Sequence, residues 1–342
     1  MSDLTTFSRR SFLVMPLALM ACKPSDLVFE ISGFTMGTSY NVVAVDPSHR
    51  LTNAKMRSAI EGALAEVNTQ MSNWDPTSEI SRFNAQAGTG AQSLSPALAT
   101  VMEAAETVYR DSQGRFDTTM GPLIELWGFG APGARTKPDE AAIAAARQRS
   151  GHENTLRVGQ GEMHKTRSDA QVYLAAIGKG FGADQVGRAL EALGLTDYMI
   201  EIGGDLYASG RNPDGQPWQI GIEAPDSRNR SVMDVIGVSG LGLASSGDYR
   251  NYFEQDGQRF SHVIDPATGH PIEHRTASAT VLADNGMLAD AWATAMLVLG
   301  RDRGMEIAET QNLAVLFVER DTSVSELRFK TEASSRFTAL TA

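Results

Sequence analysis

The stretch Tyr198-Met-Ile-Glu-Ile-Gly-Gly-Asp-Leu-Tyr-Ala-Ser-Gly-Arg-Asn-Pro-Asp-Gly-Gln-Pro-Trp-Gln-Ile-Gly-Ile-Glu223 decides the fold. Short alternating runs are cut by Gly203-Gly204 and by the turn Asn212-Pro-Asp-Gly215, the pattern of an antiparallel meander. The same character continues to Phe260, with a further Asp256-Gly257 turn.

Upstream, the periodicity is different. Val28 to Phe34 and Thr38 to Val45 read as strands broken by Met36-Gly37. Ala54 to Val67 has helical spacing, with Met56, Ile60, Leu64 and Val67 on one face. Asp75-Pro-Thr-Ser-Glu79 reads as a helix start. Ser95-Pro96 opens a helix to about Ser112, stopped by Gly114. Asp139 to Arg149 is an Ala-rich surface helix, and Ile177 to Leu193 is a helix reached through a Gly-rich turn. Downstream, Met287 to Leu299 is a strongly apolar helix, Leu313 to Val318 a buried strand, and Leu327 to Phe337 closes the sheet edge. Ala131 to Pro138 is the expected mobile loop. Helices gather early and strands in the middle, so the expected class is α+β, an antiparallel-rich sheet core with flanking helices in two intimately packed lobes. With no interdomain linker in view, residues 23–342 are expected to form one domain.

The chain has 342 residues and a formal net charge of -11. That balance argues against a nucleic-acid partner, which needs a basic surface. An anionic substrate must instead be met locally, by a metal, a few cations or oriented backbone N–H groups. The one cysteine, Cys22, excludes an internal disulfide or a Cys-based zinc site.

Residues 1–22 read as an address. Ser8-Arg-Arg-Ser-Phe-Leu13 resembles a twin-arginine export signal. The apolar run Phe12 to Ala21 is too short to span a bilayer. Leu19-Met-Ala-Cys22 resembles a bacterial lipobox, which places a lipid on Cys22 and the mature chain on the periplasmic side of a membrane.

Five constellations bear chemistry. Asp290 and Thr294 stand four apart on a predicted helix and share a face. Their oxygens suit a hard cation such as Mg²⁺; the plain alternative is a solvated Asp290 and a Thr294 bonded back to its own helix. Gly178-Lys179-Gly180-Phe-Gly182 opens a helix and offers N–H groups and one ammonium to an anion, or simply starts the helix. Glu201-Ile-Gly-Gly-Asp205 permits close approach of another group, or a tight turn between strands. Ser245-Ser-Gly-Asp-Tyr-Arg250 precedes Ser261-His262-Val-Ile-Asp265, where His262 is a general base or a satisfied structural histidine. Met71-Ser-Asn-Trp74, with Met36 upstream, sandwiches a flat heterocycle or belongs to the core.

The order of these signals is more specific than any one of them. Met36-Gly-Thr38, Met71-Ser-Asn-Trp74, Gly114-Arg-Phe-Asp117, Leu126-Trp-Gly-Phe-Gly130, Ala176-Ile-Gly-Lys-Gly180, Ile202-Gly-Gly-Asp205, Ser246-Gly-Asp-Tyr249, Ser261-His-Val-Ile-Asp-Pro266 and Ala289-Asp-Ala-Trp-Ala-Thr294 together resemble the FAD:protein FMN transferase (ApbE) family. The resemblance covers essentially the whole mature chain. It implies FAD bound in a cleft between two lobes and transfer of FMN to a Thr or Ser hydroxyl of an acceptor flavoprotein, a redox-pump subunit or its like, with release of AMP. It further implies Mg²⁺ held by Asp290, Thr294 and the backbone carbonyl of Ala176. Met36, Trp74, Arg115, Phe116, Asp117, Lys179 and Ile264 match flavin-nucleotide contacts, and His262 matches the residue proposed to deprotonate the acceptor. One departure stands out. Where many members carry Leu-Asp-Leu before the Gly-rich turn, this chain has Val172-Tyr173-Leu174, and Tyr173 could replace the carboxylate through its hydroxyl or by stacking. Two other activities fit the same residues: FAD hydrolysis to FMN and AMP, and flavin binding without catalysis.

Overall fold

The computed structural model describes residues 27–130, 135–226, 231–321, 323 and 328–342. The address segment with Cys22 and part of the expected loop Ala131–Pro138 lie outside the described residues.

An eight-stranded sheet organises the chain. In spatial order its strands are Leu27–Thr35, Thr38–Asp46, Asp197–Ile202, Asp205–Ser209, Leu241–Gly247, Thr276–Ala283, Ala314–Arg320 and Phe329–Ala333. Every neighbouring pair is antiparallel. The first hairpin turns at Met36-Gly37, and both residues take positive φ. The Ile202/Asp205 hairpin turns at Gly203 and Gly204, again with positive φ, where glycine meets no steric penalty.

The two faces of the sheet are covered differently. On one face lie the helices Asn53–Met71, Pro96–Asp111, Gly178–Ala192 and Gly286–Gln311. The expected face of the first is the buried one: Met56, Ile60, Leu64 and Val67. Ser95 caps the second through the Leu98 amide, with Pro96 at its start. The other face packs Trp218, Ile220 and Ile222 of a separate hairpin, Trp218–Glu223 with Val232–Val238, together with Phe337 of the last helix. A satellite cluster of Met120, Leu123, Trp127, Ile143, Phe260 and Ile264 forms beyond the sheet, pinned by the Trp127 indole donating to the Gly269 carbonyl at 2.9 Å. Among the described residues no helix is long and apolar enough to cross a membrane.

Several elements differ from the sequence reading, three of them close to the sheet. The strand Thr276–Ala283 does not stand out in the sequence, yet it lies between Leu241–Gly247 and Ala314–Arg320 with seven of its eight residues buried. Burial on both faces removes the alternation that marks a half-exposed strand. The segment expected to close the sheet as one piece is a strand, Phe329–Ala333, followed by a helix, Ser335–Thr341, that starts at the cap Ser334. The apolar helix runs past Leu299 to Gln311 through a break at Gly300, whose φ is 70°. A Cβ at Gly300 would also stand 2.9 Å from the His274 ring.

The contact that positions the site is between two helices. At Gly180 an added Cβ would fall 2.0 Å from the Gly286 carbonyl oxygen and 2.9 Å from the Asp290 Cβ. Only glycine lets the helix Gly178–Ala192 approach Gly286–Gln311 this closely. Asp184, one turn after Gly180, accepts the Gly286 and Met287 amides at 2.7 and 2.9 Å, and Asn285 accepts the Leu288 amide at 2.8 Å. The first amides of the long helix are thereby satisfied, and its register against the glycine helix is locked.

Candidate active site

A cleft of about 930 Å³ opens between the strand ends, the Arg115–Met120 loop, the start of the glycine helix and the long helix. Such a volume lies at the large end of small-molecule sites. Arg115, Phe116, Asp117, Ala176, Lys179, His262, Ile264, Asp290 and Thr294 all line it. Segments far apart in sequence thus converge on one cleft. Met36 and Trp74 do not line it. Met36 sits at the hairpin turn, and its Cε is 2.8 Å from where a Cβ at Gly182 would be. Trp74 is 69% exposed. Its neighbour Asn73 is tied to the Val172 carbonyl and the Leu174 amide, on either side of Tyr173.

Asp290 is 3% exposed. Its Oδ2 accepts the Gly180 amide at 3.1 Å, one of the free N–H groups of the glycine helix. Its Oδ1 lies 3.7 Å from the Lys179 ammonium, and that ammonium lies 2.5 Å from Asp205 Oδ2. Burial, and then the Asp205 carboxylate, push the Asp290 carboxyl up to about 7. The Lys179 ammonium is held above its ordinary value: burial opposes its charge, and Asp205 and Asp290 outweigh that opposition. One helical turn on, the Thr294 hydroxyl exchanges a 3.1 Å hydrogen bond with Ser246.

Two carboxylates therefore share one ammonium in a buried wall, a net negative charge that burial makes costly. A cation relieves it. The donors are hard oxygens, one carboxylate and one hydroxyl on a single helix face, with Ala176 on the same wall. Among the described residues no group of three or more His, Cys, Asp or Glu could hold a metal. The set at hand is of the sparse kind that Mg²⁺ tolerates, since Mg²⁺ completes its shell with water and substrate phosphate. The residues present fit such an ion.

His262 follows the strand Gln258–Ser261. Its backbone N–H donates to the Asn251 carbonyl at 3.0 Å, and its Nδ1 stands 3.0 Å from the same oxygen. A carbonyl only accepts, so Nδ1 carries the proton and Nε2 keeps its lone pair. Burial holds the imidazole below the usual histidine value. A neutral ring with a free Nε2 in a substrate-sized cleft can take a proton.

Asp117 spends its carboxylate on its own loop. Oδ1 accepts from the Thr119 amide and hydroxyl, and Oδ2 from the His152 amide. Burial raises its carboxyl. Arg115 lies 3.5 Å from Asp265, across the cleft wall. Tyr173 also lines the cleft. Its hydroxyl donates to Glu125, and its ring covers Gly121, where a Cβ would meet the ring at 2.2 Å. Tyr173 thus offers the cleft a fixed aromatic ring in place of a carboxylate.

Sequence reasoning assigned no part to Asp184, nor to the bond between Ser246 and Thr294. Asp184 has a readable signal only in hindsight: it follows Gly180 by one turn and shares its helix face.

An α+β protein with a buried oxygen cluster fit for a cation and a histidine that keeps its Nε2 lone pair in one large cleft is a candidate phosphoryl-transfer catalyst. Comparison with known proteins gives the family. The ApbE family model matches residues 36–317, and the chain belongs to that family. It is 42% identical over 337 residues to the FAD:protein FMN transferase of Haemophilus influenzae, covering 96% of each chain. It is 40% identical over 324 residues to that of Vibrio cholerae, covering 94% of this chain and 95% of the relative. Among solved structures, the flavin transferase ApbE of Vibrio cholerae superposes with a TM-score of 0.84 at 37% identity, over 92% of this chain and 99% of the other. The apo flavinyl transferase ApbE of Pseudomonas stutzeri gives 0.83 at 35%, over 92% and 97%.

Proposed function

We propose that this protein transfers FMN from FAD to a Thr or Ser hydroxyl of an acceptor flavoprotein and releases AMP. The observation that carries the reading is the convergence of Asp290, Thr294, Lys179 and His262 on one cleft. The names of the full-length relatives support it.

In the reaction, the acceptor oxygen forms a bond to the FMN-side phosphorus. The bond from that phosphorus to the oxygen bridging to AMP breaks, and AMP departs with the electron pair. His262 Nε2 takes the acceptor proton, which an aliphatic hydroxyl does not lose unaided. Lys179, at the positive end of the glycine helix, places positive potential beside the phosphates. Arg115, Phe116, Asp117, Ile264 and Tyr173 hold the nucleotide in line, while Met36 and Trp74, which stand outside the cleft lining, take no part in this reading. Asp290, Thr294 and the Ala176 carbonyl would hold Mg²⁺, which would supply charge neutralisation for the pyrophosphate.

Chromatography of the nucleotides tests the reaction class. With FAD and Mg²⁺ alone, FAD stays intact. Adding an acceptor domain releases one AMP per acceptor and no free FMN. Accumulation of free FMN and AMP without acceptor would replace transfer by hydrolysis.

The location is part of the same proposal: a chain lipidated at Cys22, on the periplasmic side of a bacterial membrane, near a redox-pump acceptor. In fractionated cells the chain is expected in the membrane fraction, and Cys22→Ser is expected to move it to the soluble periplasm. A wild-type chain found wholly in the soluble fraction would contradict the anchor.

A further inference from the structure

Asp205 closes the motif Glu201-Ile-Gly-Gly-Asp205, and the reaction as derived gives it no part. It opens the strand Asp205–Ser209 directly after the glycine turn. It is 5% exposed and lines the cleft. Its Oδ2 faces the Lys179 ammonium at 2.5 Å, but this buried oxygen has no well-aligned hydrogen bond. The same ammonium stands 3.7 Å from Asp290 Oδ1. Lys179 therefore has two carboxylates within reach and sits nearer to Asp205.

We propose that Asp205 is a positioning residue that anchors Lys179 and so keeps Asp290 open to a divalent cation. This rests on the reading of Asp290 and Thr294 as cation ligands. An ammonium in contact with Asp290 would neutralise the carboxylate and occupy the space a cation needs. With the Asp205 anchor in place, the ammonium stays nearer to Asp205 than to Asp290, 2.5 Å against 3.7 Å, while Lys179 still lines the cleft. Geometry favours this assignment over direct ligation, because the Asp205 oxygen that faces the cluster is already paired with the ammonium. The glycines before Asp205 have a matching use. A Cβ at Gly203 would stand 2.7 Å from the Thr38 side chain, so the turn that delivers Asp205 can pack against the neighbouring hairpin only without one.

The test is a double-mutant cycle read by Mn²⁺ binding. Full-length wild type, Asp205→Asn, Lys179→Met and the double variant are titrated with Mn²⁺, and free Mn²⁺ is followed by electron paramagnetic resonance. FAD is held at saturation, checked by flavin fluorescence, and no acceptor is present. Asp205→Asn is expected to weaken Mn²⁺ binding about tenfold more in the presence of Lys179 than in the Lys179→Met background, within the usual range of coupling between contacting residues. Asp205→Ser, a smaller replacement, is expected to give the same coupling. Equal losses in both backgrounds would overturn the proposal, since they mean that Asp205 acts on the cation directly or through its charge alone. Unchanged Mn²⁺ affinity in Asp205→Asn would overturn it too. If wild type binds no Mn²⁺, the cation reading itself fails and takes the proposal with it, whereas failure of the cycle alone leaves that reading intact.

Discussion

Asp290→Ala is expected to remain folded and to lose flavin transfer by about a thousandfold or more, as befits loss of a residue that organises transition-state charge. The fold survives because the substitution removes the most costly charge in the wall. Asp290 is buried beside a second carboxylate, and without it Lys179 and Asp205 remain as a balanced pair. The lost hydrogen bond to the Gly180 amide is one of several at that helix start, and the Asp184 bonds to Gly286 and Met287 keep the helices together. Transfer fails because Thr294 and the Ala176 carbonyl are left with no anionic partner for a divalent cation. Rates measured beside a thermal melt separate the two effects. Near-wild-type transfer would remove Asp290 from the mechanism.

The second large effect is on proton transfer. His262→Ala is expected to keep FAD bound and to slow transfer by roughly a hundred- to ten-thousandfold, the usual worth of a general base. The pH profile gives a sharper signature. Burial depresses the imidazole below its ordinary value of 6.5, so the wild-type ring is neutral at pH 7 and above. At saturating Mg²⁺, which keeps Asp290 ionised, the rate is expected to be level there and to fall as pH drops through the depressed value. His262→Ala should lose that acid limb. The stability contribution has the same sign: a depressed histidine value favours the fold above the unfolded value, and that share is lost as pH falls through the folded one. Loss of FAD binding in the variant, with no change in the acid limb, would make His262 a binding residue instead.

Much of this arrangement was legible in the sequence, for reasons that can be named. Turn chemistry at Gly203-Gly204 and Asn212–Gly215 marks the meander because few residues adopt positive φ. The four-residue spacing of Asp290 and Thr294 places two oxygens on one face because a helix has a fixed period. Other features left no local trace. Thr276–Ala283 is buried on both faces and shows no alternation. Asp184 is an ordinary helical acid until the fold sets it under the start of the long helix. No spacing pairs Asp205 with Lys179; packing of the helix Gly178–Ala192 against the strand Asp205–Ser209 brings them to 2.5 Å. The departure at Tyr173 is resolved by contacts that no spacing predicts: a hydrogen bond to Glu125 and a ring laid on Gly121.

The most direct measurement is the intact mass of an acceptor domain after incubation with the protein, FAD and Mg²⁺. The account predicts a gain of one FMN joined as a phosphoester, on a single Thr or Ser, abolished by EDTA and absent with Asp290→Ala. An acceptor from a membrane redox complex that keeps its original mass, while FAD is consumed to free FMN and AMP, would contradict it.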